Sequence, residues 1–376
     1  MNRDGLKTIG FVLMALVGGA AALLSLLGIA TLSLFSALLP MSLDEVLPTY
    51  IGVAVLGVAF GAWTLANAIM GLMKRPSRPF HLPGGWVWVA GFAAAIGVLL
   101  AAAPTDTAGL TLLRLLAALL PALAVLSFFT RRLSSAPGLA SWRQAAAQAS
   151  VTASVTMSWS FLWEIVAVAA VLIGAGVVIG VSPGGLESLE EWSQRFSDPL
   201  ALQGGEFLLE PGVLAILLAL SAGVIPIIEE TGKALGMGML ALVRRPTRAQ
   251  AIAWGLVTGA VFGVLEASFT QYPNTQTGAM LAVLRAGALL MHCCTATMTA
   301  VGLYEWVSQR RPRWFFVSLG LSIGLHAAWN AVAVAFAPLS AAGSRWVPGQ
   351  MLLLGMFAIL SGGAAFILVL LTKPRN

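Results

Sequence analysis

Residues 212–243 read GVLAILLALSAGVIPIIEETGKALGMGMLALV. The stretch is long and apolar enough to cross a membrane as a helix, which takes about 20 such residues. Yet Glu229, Glu230 and Lys233 stand inside it. On a helix Lys233 lies four residues from Glu229 and three from Glu230, so it can pair with either carboxylate. Adjacent glutamates point about 100° apart, so one can pair with Lys233 while the other faces a cavity. Pro226, just before them, removes a backbone N–H and can kink the helix, opening polar backbone to that cavity. The structural alternative is a charge-paired kink that locks neighbouring helices together.

The whole chain has the character of this stretch. Of its 376 residues 59% are hydrophobic and 10% charged, which excludes an ordinary soluble domain. Ten segments are candidates for spans: 9–39, 49–73, 86–103, 109–129, 151–181, 212–243, 249–269, 280–304, 314–337 and 350–372. The expected fold is therefore all-α, a polytopic membrane protein with about ten transmembrane helices. The first, fifth and sixth segments are long for one crossing and predict tilt, a kink or extension beyond the bilayer. The opening MNRDGLKTIGFVLM is basic and then apolar for longer than a signal-peptide core, so it reads as a first membrane helix rather than a cleaved signal.

Charge sets the expected orientation. Placing the N-terminus inside puts Lys74, Arg75, Arg131, Arg132, Arg244, Arg245, Arg310, Arg311 and Lys373 on the inner side, while the outer segments carry only Arg195 and Arg345. Acids such as Asp44, Asp106, Glu187, Glu190 and Asp198 fall outside. This positive-inside bias predicts an N-in, C-in protein of the cytoplasmic (plasma) membrane. It also accounts for most of the net charge of +6, which is not read as nucleic-acid binding. Three regions are expected: 1–181 with five helices, 182–211 as an outer acidic loop, and 212–376 as the working part. In the loop Leu186, Leu189, Trp192 and Phe196 recur at helical spacing and predict an amphipathic surface helix. Ala-rich 144–150 reads as an inner interfacial helix. The two cysteines, Cys293 and Cys294, are adjacent, which offers neither a disulfide framework nor a metal knuckle. They read as small packing residues.

Removing the loop charges leaves Arg114, Glu164, Glu229, Glu230, Lys233, Glu266 and Arg285 at membrane depth, joined by His292 and His326. Ionisable groups there are functional candidates by default. FGVLE puts Phe262 and Glu266 on one helix face, and HAAWN does the same for His326 and Asn330. Arg285 and His292 are two turns apart on one face. At 1.5 Å per residue Glu229, His292 and His326 each come out roughly 17–25 Å from the outer ends of their spans. Glu266 comes out shallower. Either its helix extends through 270–274 or it sits at the mouth of the site. Arg114 and Glu164 are expected to serve structure, as a pair between the fourth and fifth spans.

EExxK, FxxxE, a mid-helix His and HxxxN in four successive spans resemble the PrsW family of intramembrane proteases, relatives of the CAAX prenyl endopeptidases and bacteriocin-processing enzymes. Lys233 and Glu266 place the chain on the PrsW side, and 281–303, LAVLRAGALLMHCCTATMTAVGL, is similar to the family's third motif region. The resemblance covers about 220–335. It departs where Cys293 follows the histidine and where Asn330 stands in place of a common Asp.

The resemblance implies hydrolysis of peptide bonds of membrane proteins in or beside the bilayer. Glu230 or Glu229 would act as general base on a water and then donate to the leaving amine, with Lys233 holding the partner carboxylate ionised. His292, His326 and Asn330 can stabilise the oxyanion. Alternatively Glu266, His292 and His326 can hold zinc or another divalent metal. The rival classes are a proton-coupled transporter and a non-catalytic membrane scaffold.

Overall fold

The computed structural model describes residues 3–38, 47–101, 108–181, 211–268, 275–341 and 347–373. Helices α1 (Arg3–Leu38), α2 (Leu47–Leu72), α3 (Gly85–Ala101) and α4 (Ala108–Arg132) come first. Next are α5 (Trp142–Val151) and α6 (Met157–Val181), joined by a π-helical turn, Thr152–Thr156. A second such turn, Ala219–Val224, joins α7 (Pro211–Leu218) to α8 (Ile225–Val243). The chain ends with α9 (Arg248–Ser268), α10 (Thr275–Val307), α11 (Pro312–Ala341) and α12 (Val347–Leu371).

The chain is an all-α, multi-pass membrane protein. Among the described residues nine helical stretches are long and apolar enough to cross a membrane. The tenth expected span is α3, whose 17 residues rise only about 26 Å, slightly less than a typical hydrocarbon core. The predicted amphipathic helix at 186–196 lies outside the described residues.

Two of the three long segments are interrupted by a π turn. In the sixth the cause is local. Pro226 has no N–H and its ring crowds the carbonyl four residues earlier, so the helix widens just before it. The fifth starts earlier than expected, at Trp142, where Ser141 and Gln144 form a reciprocal capping box. Its Ala-rich part is not interfacial: Ala145, Ala146, Gln148, Ala149 and Ser150 are buried among other helices. Alanine permits close packing there, and Gln148 donates to Thr258 Oγ1 on α9 at 2.8 Å.

The basic connecting segments gather at one end of the bundle. Phe80 N donates to Ala140 O and Trp142 N to Arg78 O, zipping two loops together. Thr247 Oγ1 donates to Gly138 O, Ser308 Oγ to Pro246 O and Arg248 Nη2 to Leu371 O.

At the centre α9 and α10 touch backbone to backbone. Gly255, Gly259 and Gly263 repeat every four residues on one face of α9. A Cβ on Gly259 would lie 2.4 Å from Cys293 Cα and His292 O, and one on Gly255 would lie 2.5 Å from Thr297 Cα. Only the bare backbone of glycine lets two membrane helices approach this closely. Cys293 and Cys294 are buried and free in the same core.

Candidate active site

The polar residues of α8 to α11 converge on one buried centre built around Lys233. Its ammonium is fully enclosed and has only protons to offer. Nζ donates to Glu230 Oε1 at 2.7 Å and to His292 Nδ1 at 2.7 Å, and it lies 3.7 Å from Glu229 Oε2. The Phe262 ring covers it, with Nζ 4.3 Å from the ring centroid, a cation–π contact at a fully buried ammonium. Thus FxxxE does bring an aromatic to the site, but against Lys233 and the His292 ring, 5.1 Å away between centroids.

Glu230 is the structural carboxylate of the pair. Its Oε1 accepts from Lys233, from Thr295 Oγ1 at 3.0 Å and from His326 Nδ1 at 2.9 Å. Glu229 turns the other way, as adjacent helical residues must. It lines a cavity of about 620 Å³, and its buried Oε2 has no hydrogen-bond partner. His326 Nε2 stands 3.8 Å from that oxygen.

The protons follow from the partners. Lys233 donates, so His292 Nδ1 accepts, and His292 Nε2–H donates to Glu266 Oε2 at 2.8 Å. Glu266 in turn pairs with Arg285. His326 carries its proton on Nδ1, toward Glu230, which leaves the lone pair of Nε2 facing Glu229. The two imidazoles meet edge to face, 4.9 Å between centroids.

Each residue singled out by the sequence has a place here. Glu229, Glu230, Lys233, Glu266, His292 and His326 form one bonded or near-bonded group. Glu266 is in the last turn of α9, which ends at Ser268, so it sits at the mouth of the site. Asn330 lines the cavity but does not orient His326. Its amide donates to Ser221 O at 2.8 Å, a carbonyl of the π turn that the widened helix has released. The carboxylate grouped with the two imidazoles is Glu229, where the sequence pattern offered Glu266. Ligand atoms of Glu229, His292 and His326 lie within 4.8 Å of one another.

Two contributors escaped the sequence reading. Glu164, expected only to serve structure, lines the cavity with Glu229 and Glu266. The Arg114 side chain expected as its partner lies outside the described residues. Helix α6 also holds α8 in place: Thr156 Oγ1 donates to Gly232 O and Trp159 Nε1 to Ile228 O. The second contributor is Gly259, whose missing Cβ seats His292. The four-residue glycine spacing at 255, 259 and 263 was the legible signal for it.

The fold and the site together define a polytopic membrane protein with an enclosed acid–base centre opening on a cavity. Residues 156–362 match the family described as PrsW family intramembrane metalloprotease, and the chain belongs to that family. The match extends beyond the stretch 220–335 on which the resemblance rested, taking in α6 and most of α12. No curated protein and no solved structure matches the chain.

Proposed function

We propose that the protein is an endopeptidase that cuts membrane proteins in or near the bilayer with Glu229 as the general base. The observation that carries this reading is the unbonded Oε2 of Glu229, buried, on the cavity wall and flanked by Lys233 and His326. Water in the cavity would give its proton to Glu229 and attack the carbonyl carbon of the substrate. The same proton would then pass to the leaving nitrogen as the C–N bond breaks. Asn330 spends one amide hydrogen on Ser221 O and keeps a second for the oxyanion. Lys233, His292 and the Glu266–Arg285 pair act behind Glu229, fixing Glu230 and His326 in position.

The residues also suit a divalent metal, as the family description implies. One carboxylate and two imidazoles make a zinc-type donor set, and Glu229 Oε2 is a buried oxygen without a partner. Glu230 holds His326 through Nδ1, the outer-shell arrangement common behind metal-bound histidines. Both nitrogens of His292 are already bonded, so a place in that set would replace its bond to Lys233 or to Glu266. When bound, such a metal would polarise the carbonyl and acidify water.

The positive-inside bias supports an N-in, C-in orientation with the basic end in the cytoplasm, and hence the plasma membrane. The division at 182–211 between an N-terminal group and a working part belongs to the same reading, with α6 crossing it to reach the cavity.

The test compares new N-termini in membranes of cells producing wild type, Glu229→Gln or Glu230→Gln. Fragments cut near membrane spans should appear with wild type and fall by about 10²–10⁴ in rate with Glu229→Gln. An unchanged fragment profile in both variants, with the proteins folded and abundant, would sink the proposal in favour of a proton-coupled transporter or a scaffold.

A further inference from the structure

Glu164 is the one charged group on the cavity wall without a task in the hydrolysis just described. It comes from α6, where the neighbouring Leu162, Trp163 and Ile165 are exposed on the outside of the bundle. Among the described residues no hydrogen bond or ion pair holds its carboxylate. The other acids of the site apart from Glu229 have bonded partners, although Glu230 Oε2 is itself buried without a hydrogen bond. Glu266 is bonded to Arg285 and His292, and Glu230 to Lys233, Thr295 and His326. Lys233 and Arg285 thus both have carboxylate partners other than Glu164. On the same cavity Glu229, only 6% exposed, keeps an unbonded oxygen. The cavity thus presents two carboxylates at different depths: Glu229, 3.7 Å from Lys233, and Glu164, which has no ion pair among the described residues. A carboxylate at membrane depth with no partner among the described residues is a functional candidate, and one on a cavity wall can take its partner from a bound ligand.

The spacing between the two can be read from the register of α6 on α8. Thr156 bonds Gly232 and Trp159 bonds Ile228, so residue numbers rise on one helix as they fall on the other. Glu229 is then level with Ser158 and Trp159, and Glu164 lies about 8 Å further along the axis. An extended peptide advances about 3.3 Å per residue, so the two carboxylates are two or three substrate residues apart.

We propose that Glu164 forms a subsite for a basic side chain of the substrate, a lysine or arginine two or three residues from the bond that is cut. The subsite rests on the peptidase reading above. A carboxylate accepts charge-assisted hydrogen bonds from ammonium or guanidinium, and it disfavours a neutral or acidic residue by staying unpaired or by repulsion. Elsewhere on the cavity wall Leu284, Met291, Trp329 and Phe336 offer apolar surface for the rest of the segment.

The test uses the full-length protein in membranes with single-span reporter proteins. Each reporter carries a cleavage site mapped as dependent on Glu229, with Lys, Gln or Glu placed two or three residues to either side. At one of these positions Lys should be cut about tenfold or more faster than Gln, as kcat/KM, and Glu slower still. Glu164→Gln should erase the preference, and Glu164→Lys should turn it toward the Glu reporter. A structural role would slow all reporters alike and leave the preference intact, which overturns the subsite while hydrolysis stands. If no reporter or membrane protein is cut in a Glu229-dependent way, the peptidase reading falls and the subsite falls with it.

Discussion

The two sides of the cavity are built on opposite principles. On one side α9 and α10 are pressed together through Gly255 and Gly259, and Ile252, Leu256, Phe262, Leu289 and Met291 are all buried. On the other, α6 shows Phe161, Leu162, Trp163, Ile165 and Val166 to its surroundings. The tight side holds His292 and Glu266, groups that must keep sub-ångström relations to Lys233 and Glu230. The loose side contributes Glu164 and faces the apolar surroundings from which a membrane-bound substrate would come. Lipid tails are as apolar as leucine, so membrane helices associate by close packing and polar bonds rather than by hydrophobic burial. Rigidity therefore collects where small residues and buried hydrogen bonds are, and α6 has few beyond Thr156 and Trp159.

Removing the cation from the tight side should have the largest effect on stability. Lys233→Met leaves Glu230 buried without its ammonium and should cost about 3–5 kcal/mol, read as thermal unfolding in detergent. Adding Glu230→Gln should recover part of that loss, because the orphaned charge goes with it. If the double variant is no more stable than the single one, Lys233 and Glu230 are not energetically coupled.

Gly259→Ala sharpens the comparison between the sides. Its methyl carbon would meet the backbone of Cys293 and His292 at 2.4 Å, so α9 and α10 must part, at about 1–3 kcal/mol. Gly174→Ala on α6, with nothing within 4 Å, should change stability by less than about 0.5 kcal/mol. Equal effects at the two positions would mean that the glycine contact does not hold the tight side. Asn330→Ala should have the smallest effect of the designed losses. It leaves Ser221 O without its donor, for about 1 kcal/mol of stability. Cleavage should fall by more than that loss accounts for if the second amide hydrogen serves the oxyanion, measured as kcat/KM against the folded fraction.

Much of this was legible in the residues alone. Hydropathy located the spans to within a few residues in most cases, because a helix crossing hydrocarbon must stay apolar along its length. Intramembrane charge marked Glu229, Glu230, Lys233, Glu266, His292 and His326, since few other groups are tolerated there. The family order of motifs pointed to the same six and to Asn330. What escaped was relational. Glu164 looks like a lone charge in an otherwise apolar segment until α6 is laid against α8. The Ala-rich start of the fifth segment looks interfacial until its neighbours enclose it.

Chain chemistry by itself thus determined a multi-pass helical membrane protein with acids, a lysine and histidines at membrane depth. Tertiary structure decided which carboxylate does what. Glu229 and Glu230 are identical in type and adjacent in sequence. The 100° between them on the helix turns one toward Lys233, Thr295 and His326 and the other toward the cavity. Local sequence cannot make that distinction, because it depends on which side of α8 the neighbouring helices occupy.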